Sequence, residues 1–230
     1  MPTPATNAAS LEPGHRLARA LVQGLDTPLS ALRATMESLG DELQQASPRP
    51  ALRPQRLDGV LREVERLGKN VRELCDLAAP PVPRALPCTL EEIVRAARAA
   101  LQPEQRGRVL IAHSEDEATI DVDGPLVSHC LRRLLENALE ATPGSGDEPV
   151  LVVARSEAGE ARFTVVDAAP SALGPGWQPV PFQTTKPNHL GLGLALTQRD
   201  VALLAGRLEF LASGAGQTCV RISIPSKGAR

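Results

Sequence analysis

Two long segments near the start of the chain carry an apolar residue at every third or fourth position. The first comprises Leu17, Leu21, Leu25, Leu29, Leu32, Met36, Leu39 and Leu43, and the second comprises Leu57, Val60, Val64, Leu67, Val71, Leu74 and Ala78. This spacing predicts helices with a narrow apolar stripe that packs against other helices. Between the two segments lie Pro48, Pro50 and Pro54, which predict a break because proline lacks an amide donor. Residues 11–79 are therefore predicted to form an antiparallel helical hairpin.

A hairpin of two helices covers each apolar stripe on one side only. Pairing two hairpins into a four-helix bundle would bury the rest, so we expect a homodimer. The alternative is that the hairpin packs against the remainder of its own chain. Residues 80–87 contain four further prolines and are predicted to be a linker, which favours a separate hairpin.

The pattern changes after Pro87. Thr89 followed by Glu92 predicts a capping box that starts a helix running to about Leu101. Further helices are predicted at residues 125–141 and 194–205, and strands at 109–112, 119–122, 150–154, 162–166, 207–211 and 218–224. Residues 88–226 are therefore predicted to form an α/β sandwich, with helices on one face of a mixed, mostly antiparallel sheet. Residues 1–10 are expected to be disordered.

Composition narrows the classes of partner. The 230 residues include 25 basic and 27 acidic side chains, and only 2% of them are aromatic. No excess positive charge and few stacking rings are present, so nucleic acid is not an expected ligand. No run approaches the roughly 18 apolar residues of a membrane span, and Met1 to Pro13 lacks the features of a signal peptide. We expect a cytoplasmic protein without membrane contact.

Two polar residues of the second domain suit a nucleotide. Asn137 lies in an otherwise apolar helix, where its carboxamide oxygen can ligate a hard cation such as Mg²⁺. Asp167 follows an apolar strand, and its carboxylate can accept a hydrogen bond from an exocyclic amine. The alternatives are an ordinary helix-surface asparagine and an aspartate that starts a turn.

A third feature is the pair of glycines, Gly191 and Gly193, at the start of a predicted helix, preceded by Thr185 and Lys186. Glycines let a backbone approach phosphate closely, and a helix N-terminus offers free amides. A lysine adds a mobile positive charge. The spacing leaves phosphate binding and a simple glycine turn as equal alternatives.

In their order and spacing, three motifs resemble those of bacterial sensor histidine kinases. Leu134 to Thr142 is similar to the family's asparagine box, Pro181 to Lys186 to its phenylalanine box, and Gly191 to Leu196 to its second glycine box. The resemblance covers residues 15–225 and implies a dimerisation hairpin followed by a Bergerat ATP-binding fold. It further implies that ATP and Mg²⁺ are cofactors, that Asn137 ligates Mg²⁺ and that Asp167 contacts the adenine amino group.

The sequence departs from this family at the phosphoacceptor. Where the family has histidine followed by an acidic residue, this chain has Gln23 and Gly24, although Thr27 and Pro28 are retained. A carboxamide has no lone pair basic enough to attack a phosphate, whereas neutral imidazole has one. Gly24 also lacks the carboxylate that would orient or deprotonate the nucleophile. The sequence therefore predicts that autophosphorylation at the usual position is lost.

The ATP-binding motifs are also incomplete. The family's first glycine box is represented by Asp167 to Ser171, which keeps the acid and loses both glycines, and His189 replaces the first glycine of the second box. The added bulk predicts weak nucleotide binding. Arg133 replaces the leading asparagine of the asparagine box. It can approach a phosphate or lie on the surface, and we expect the surface.

Three functions fit these observations. The first is a pseudokinase that dimerises, binds ATP and Mg²⁺ weakly, and regulates a response regulator or a partner histidine kinase. The second is an active enzyme of the same architecture that phosphorylates another protein's histidine, uses His15, or acts as a phosphatase through Thr27. The third is a dimeric scaffold that binds no nucleotide. The sequence does not name the partner or the signal.

Overall fold

The chain forms two compact units. One comprises Met1–Ala79 together with Pro181–Leu192, and the other comprises Pro80–Val180 together with Gly193–Arg230. The computed structural model describes residue 30 and residues 33–34, 36–37, 54–113, 119–141, 148–157, 159–169, 176–186, 189–211 and 217–228.

In the described part of the first unit, Pro54–Ala78 forms a long helix, α1. Its first residue is the last proline of the predicted break. Proline is favoured at the start of a helix because the missing amide would have no partner there anyway. The helix ends before Pro80, as the sequence predicts. In the preceding segment, the described residues Ser30, 33–34 and 36–37 are helical, and the rest of that predicted helix lies outside the described residues.

Part of the apolar stripe of α1 is exposed in the single chain. Val64 and Val71 are 49% and 46% exposed, whereas Leu74 is 8% exposed. Leu61, beside the stripe, is also exposed. A helix whose apolar stripe is only partly covered has surface left for another helix.

The second unit is a mixed α/β structure. Its strands are β1 Leu86–Thr89, β2 Val109–His113, β3 Thr119–Val122, β4 Val150–Glu157, β5 Glu160–Asp167, β6 Arg207–Leu211, β7 Thr218–Pro225 and β8 Lys227–Gly228. Its helices are α2 Leu90–Ala99, α3 Pro103–Arg106, α4 Gly124–Ala141 and α5 Gly193–Leu203. A five-stranded sheet has the order β2-β4-β5-β7-β6, and a three-stranded sheet has the order β1-β3-β8. In the large sheet β2 and β4 are parallel, and the other pairs are antiparallel.

The core lies between the large sheet and the helices. Along β5 every second residue is buried, which places Ala161, Phe163, Val165 and Asp167 on the helix-covered face. Helix α2 buries Leu90, Ile93, Val94 and Ala97, and the capping box predicted at Thr89 and Glu92 is present at its start. The predicted α/β architecture is confirmed. The last residue of β5, Asp167, is polar and buried.

The sequence analysis missed the small sheet's two outer strands. Strand β1 overlaps the predicted linker, and its Leu86 pairs with Val122 of β3. Strand β8 is only two residues long and pairs at Asp121 and Ile120. Segments this short, one of them containing Pro87, have no alternation from which a strand can be recognised.

The expectation that Arg133 lies on the surface is wrong. Its side chain is 5% exposed, and its Nη1 donates to Oδ2 of Asp200 on α5 at 2.9 Å, where the aspartate is 3% exposed. Arg199 donates to the other carboxylate oxygen at 2.7 Å. A guanidinium is buried here because a residue far along the chain supplies the opposite charge. Burial, with a smaller contribution from Asp200, raises the pKa of the neighbouring Cys130 thiol to about 12.

We expect Asp200→Ala to destabilise the second unit by about 3–5 kcal/mol, because Arg133 would remain buried without this partner. The double variant Arg133→Met, Asp200→Leu should recover most of the loss, since it removes both charges. Urea unfolding of the three proteins is the measurement. The control is Arg95→Met, which breaks an exposed ion pair with Glu91 and should cost under about 1 kcal/mol. A loss of similar size in the control and in Asp200→Ala would contradict this role of the buried pair.

Candidate functional site

Asp167 is the last residue of β5 and is buried, with 6% of its surface exposed. Its Oδ1 accepts a hydrogen bond from the Ala169 amide at 2.9 Å. Thr218, which pairs with Asp167 across β5 and β7, donates its hydroxyl to the Ala169 carbonyl at 2.9 Å. The carboxylate therefore starts a turn that is tied back to the sheet.

This turn is the place where the resemblance implies glycines. Ala169, at the position of the first of these glycines, is buried, so its extra methyl group is packed into the structure, and Ala168 before it is half-buried. Pro170 and Ser171 lie outside the described residues. The buried Ala169 is thus compatible with a turn that keeps the Asp167 carboxylate at the end of its strand.

Asn137 lies in the last two turns of α4 and is half-buried. Its neighbours Ala138 and Leu139 are buried, and Arg133 lies one turn earlier on the same helix. The carboxamide therefore sits at the border of the buried face, not within it. An amide oxygen in this position is a neutral, hard donor of the kind that Mg²⁺ accepts.

Thr185, Lys186 and Gly191 belong to the first unit, in a loop that closes on itself. The Phe182 amide donates to the Gly191 carbonyl at 3.2 Å, and the Lys186 amide donates to the Thr184 hydroxyl at 3.0 Å. Gly191 has φ +68°, and a Cβ there would lie 2.6 Å from the Gln183 carbonyl oxygen. The backbone of Gln183 therefore requires a glycine at position 191, and this requirement is compatible with both alternatives, a glycine turn and phosphate binding.

Gly193 is the first residue of α5 in the second unit. Its carbonyl accepts the hydroxyl of Thr197, a buried residue one turn later, at 2.8 Å. The helix therefore begins at Gly193, one residue before the predicted start, and ends at Leu203, two residues before the predicted end.

The candidate binding residues divide between the two units. Asn137, Asp167 and Gly193 lie in the second unit, and Thr185, Lys186 and Gly191 lie in the first. The candidate acceptor positions Gln23, Gly24, Thr27 and Pro28, and the alternative acceptor His15, lie outside the described residues.

The second unit offers few side chains that could bind Mg²⁺ directly. Within the described ranges, no group of three or more His, Cys, Asp and Glu side chains is placed to hold a metal ion. Mg²⁺ usually takes one or two protein ligands and completes its shell with phosphate oxygens and water. A single carboxamide such as that of Asn137 is compatible with that mode of binding.

One groove of the second unit, about 430 Å³ in volume, lies between α2 and the start of α4. Cys88, Glu92, His129 and Arg132 are among its lining residues, and none of the six candidates is. The candidate residues were therefore identified by motif and strand position, not by a cavity.

Sequence reasoning missed Asp200 and Thr218. Asp200 follows Gln198 and Arg199 in its helix, so no local signal distinguishes it from an acid on the helix surface. Thr218 carries no signal either, since a threonine at the start of a strand is ordinary.

No family model matches the chain. In sequence it is similar to the C4-dicarboxylate transport sensor protein DctB of Rhizobium meliloti, with 26% identity over 214 residues. The match covers 88% of this chain but only 33% of DctB, so the chain spans about a third of that relative's length.

In fold, the chain is similar to the histidine kinase ThkA, solved in complex with the response regulator protein TrrA. The TM-score is 0.63 at 17% identity, over 98% of this chain and 68% of that one. Full-length ShkA, solved in complex with AMPPNP, gives a TM-score of 0.61 at 19% identity, over 94% of this chain and 46% of that one. The similarities in sequence and in fold are thus to sensor histidine kinases, including their ATPase catalytic domain, as the three sequence motifs indicated.

Proposed function

We propose that this chain is a histidine-kinase-like signalling protein that has lost self-phosphorylation, that is, a pseudokinase of the two-component type. It dimerises through residues 11–79, binds ATP and Mg²⁺ weakly through residues 88–226, and regulates a response regulator or a partner histidine kinase. The observation that carries the proposal is the combination of an ATPase-type fold with a glutamine, Gln23, at the acceptor position.

The loss of self-phosphorylation is supported by the chemistry of glutamine. Phosphoryl transfer to nitrogen needs a lone pair that is available at neutral pH, and the amide nitrogen of glutamine is delocalised into its carbonyl group. Gly24 removes the adjacent carboxylate as well. Self-phosphorylation at this position therefore has neither a nucleophile nor a group to orient it.

Weak nucleotide binding is supported by Asp167. Its carboxylate is held at the end of β5 in a turn fixed by Ala169 and Thr218, so it is already oriented when a base arrives. Bound ATP would supply phosphate oxygens for Mg²⁺, and Asn137 would provide the protein's carboxamide ligand. Ala169 adds a buried methyl group where the resemblance implies the first glycine of the box, which favours a low affinity.

The partner class is supported by the neighbouring structures. ThkA was solved with a response regulator, and its similarity extends over nearly all of this chain. The exposed part of the α1 stripe, with Val64 and Val71, supports a homodimer, because burying those side chains needs a second helical surface.

We expect Val64→Asp to shift the protein from dimer to monomer. An aspartate in the helix–helix seam would be an unpaired buried charge, which costs several kcal/mol. Sedimentation velocity measures the change. The matched control is Arg62→Asp, an exposed position on the same helix, which should leave the dimer intact. A Val64→Asp protein that still sediments as a dimer would refute this interface.

Calorimetry with an ATP analogue and Mg²⁺ should give a dissociation constant of about 0.1–1 mM, equivalent to about 4–5.5 kcal/mol. Asp167→Asn and Asn137→Ala should each weaken binding by about tenfold, because one loses the adenine acceptor and the other the Mg²⁺ ligand. Asp121→Asn, on the small sheet, is the control and should bind as the wild type does.

Two outcomes of this titration would change the assignment. No heat at several millimolar nucleotide would favour the nucleotide-free scaffold. Binding that Asp167→Asn leaves unchanged would mean that the nucleotide is held by other residues.

Incubation with labelled ATP should give no acid-labile label on the wild-type protein. Gln23→His alone should restore little, whereas Gln23→His with Gly24→Glu supplies both nucleophile and base. The readout is acid-labile phosphate on the chain. Label on the wild type that disappears in His15→Ala would favour the active enzyme instead.

A further inference from the structure

Strands β2 and β6 form the two edges of the five-stranded sheet, within the part of the chain that the structure describes. Strand β6 carries Arg207 and Glu209, and Arg207 pairs with Glu160 at 2.6 Å. Strand β2, with the sequence Val-Leu-Ile-Ala-His, contains no Lys, Arg, Asp, Glu or Pro. Charges and proline are the usual means of keeping an edge from pairing with another chain. One edge of this sheet is therefore protected and the other is not.

The direction of the backbone groups of β2 follows from one hydrogen bond. The Val150 amide of β4 donates to the Arg108 carbonyl at 2.9 Å. Backbone groups alternate in direction along a strand, so those of Leu110 also face β4. The amides and carbonyls of Val109 and Ile111 then face away from β4, at the outer edge of the sheet.

A groove of about 390 Å³ runs along this outer edge. One wall is formed by Gly107 and the consecutive strand residues 109–111. The other wall is formed by Glu91, Arg95 and Arg98, which lie four and three residues apart on one face of α2. An open strand edge beside a helix is the geometry in which an extended peptide is added to a sheet.

The charge and polarity of the groove define its occupant. The helix wall carries two arginines and one glutamate. Arg95 pairs with Glu91 through one terminal nitrogen, and Arg98 donates its Nε to the Arg106 carbonyl at 3.0 Å. A guanidinium has five N–H donors, so these contacts use one nitrogen of each. Acidic side chains of an added strand would complement this wall.

The opposite face of the same edge is apolar. Leu110 of β2 is 52% exposed and pairs in register with Leu151 of β4, which is 36% exposed. Successive side chains of an added strand alternate between the two faces of the sheet. One set would meet the arginines of α2, and the other would extend the apolar row formed by Leu110 and Leu151.

We propose that the outer edge of β2 binds an extended segment of a partner protein as a sixth strand, and that acidic and apolar residues alternate in that segment. The amides and carbonyls of Val109 and Ile111 form the main-chain hydrogen bonds. Arg95 and Arg98 select the acidic residues, and Leu110 selects the apolar ones. This site is separate from the residues proposed to bind nucleotide, so either proposal can fail alone.

The test uses the full chain and a fluorescent hexapeptide of alternating Glu and Val with blocked ends. We expect saturable binding with a dissociation constant of about 10–300 μM by fluorescence anisotropy. A hexapeptide of alternating Lys and Val should bind at least about tenfold more weakly. A third peptide is the Glu–Val peptide with N-methyl groups on the alternate residues whose amides would face β2. It should not bind, because N-methylation removes the main-chain donors.

Variants of the chain locate the site. Arg95→Glu with Arg98→Glu should weaken binding of the Glu–Val peptide by at least about tenfold. Arg84→Glu, an exposed arginine outside the groove, is the matched control and should change it less than about twofold. Hydrogen exchange of the Val109 and Ile111 amides should slow when the peptide is bound. Absence of binding at 5 mM, equal binding of the Lys–Val or N-methylated peptide, or equal effects of the two charge variants would overturn the proposal.

Discussion

The buried ion pair between Arg133 and Asp200 constrains how two helices of the second unit pack together. It connects α4, which carries Asn137, to α5, which begins at Gly193. Both side chains are almost fully buried, so each charge depends on the other and on Arg199 for compensation. A shift of one helix along the other would separate the charges in an environment of low polarity. We infer that the pair favours one register of these two helices, which carry candidate nucleotide contacts.

The position that Arg133 occupies is also a departure from the family that the chain resembles. The resemblance implies an asparagine there, one turn before Asn137 on the same helix. In this chain the position is used for a structural charge whose partner is on α5. Of the two asparagine positions in the asparagine box, the first is occupied by Arg133, which pairs with Asp200 on another helix, and the second is Asn137, the candidate cation ligand. The turn at Asp167 shows a similar change, because Ala169 is buried at a position where the resemblance implies glycine, while the carboxylate keeps its place on the strand.

The surfaces of the two units suit a protein that acts through other proteins. Helix α1 leaves valines of its apolar stripe exposed, and β2 leaves an uncharged sheet edge beside a basic helix face. In the proposed function, binding of a nucleotide or a partner transmits a signal by changing the population of conformations, without self-phosphorylation. The fold is similar to that of histidine kinases, and the exposed α1 stripe and the β2 edge are the two surfaces proposed to bind partners.

The sequence alone determined the local structure and the kind of fold. The sequence pattern predicted β3 and β6 with their observed bounds, and it predicted a helix that ends at Ala78, the last residue of α1. It also predicted the capping box of α2 at Thr89. Each of these features depends on residues close together in the chain. The motifs likewise identified Asn137, Asp167 and Gly193 as candidates, since a polar residue at the end of a strand or a glycine at the start of a helix is visible locally.

Tertiary structure alone decided the order of the strands, the pairing of β1 and β8 with β3, and the burial of Arg133. It also decided that Gly191 is required by the backbone of Gln183 and that Pro181–Leu192 belongs to the first unit. These outcomes depend on contacts between residues far apart in the chain. Arg133 and Asp200 are separated by 67 positions, and no local pattern indicates which distant charge will neutralise a given arginine. Local sequence specifies which face of an element is apolar, whereas packing selects what covers it.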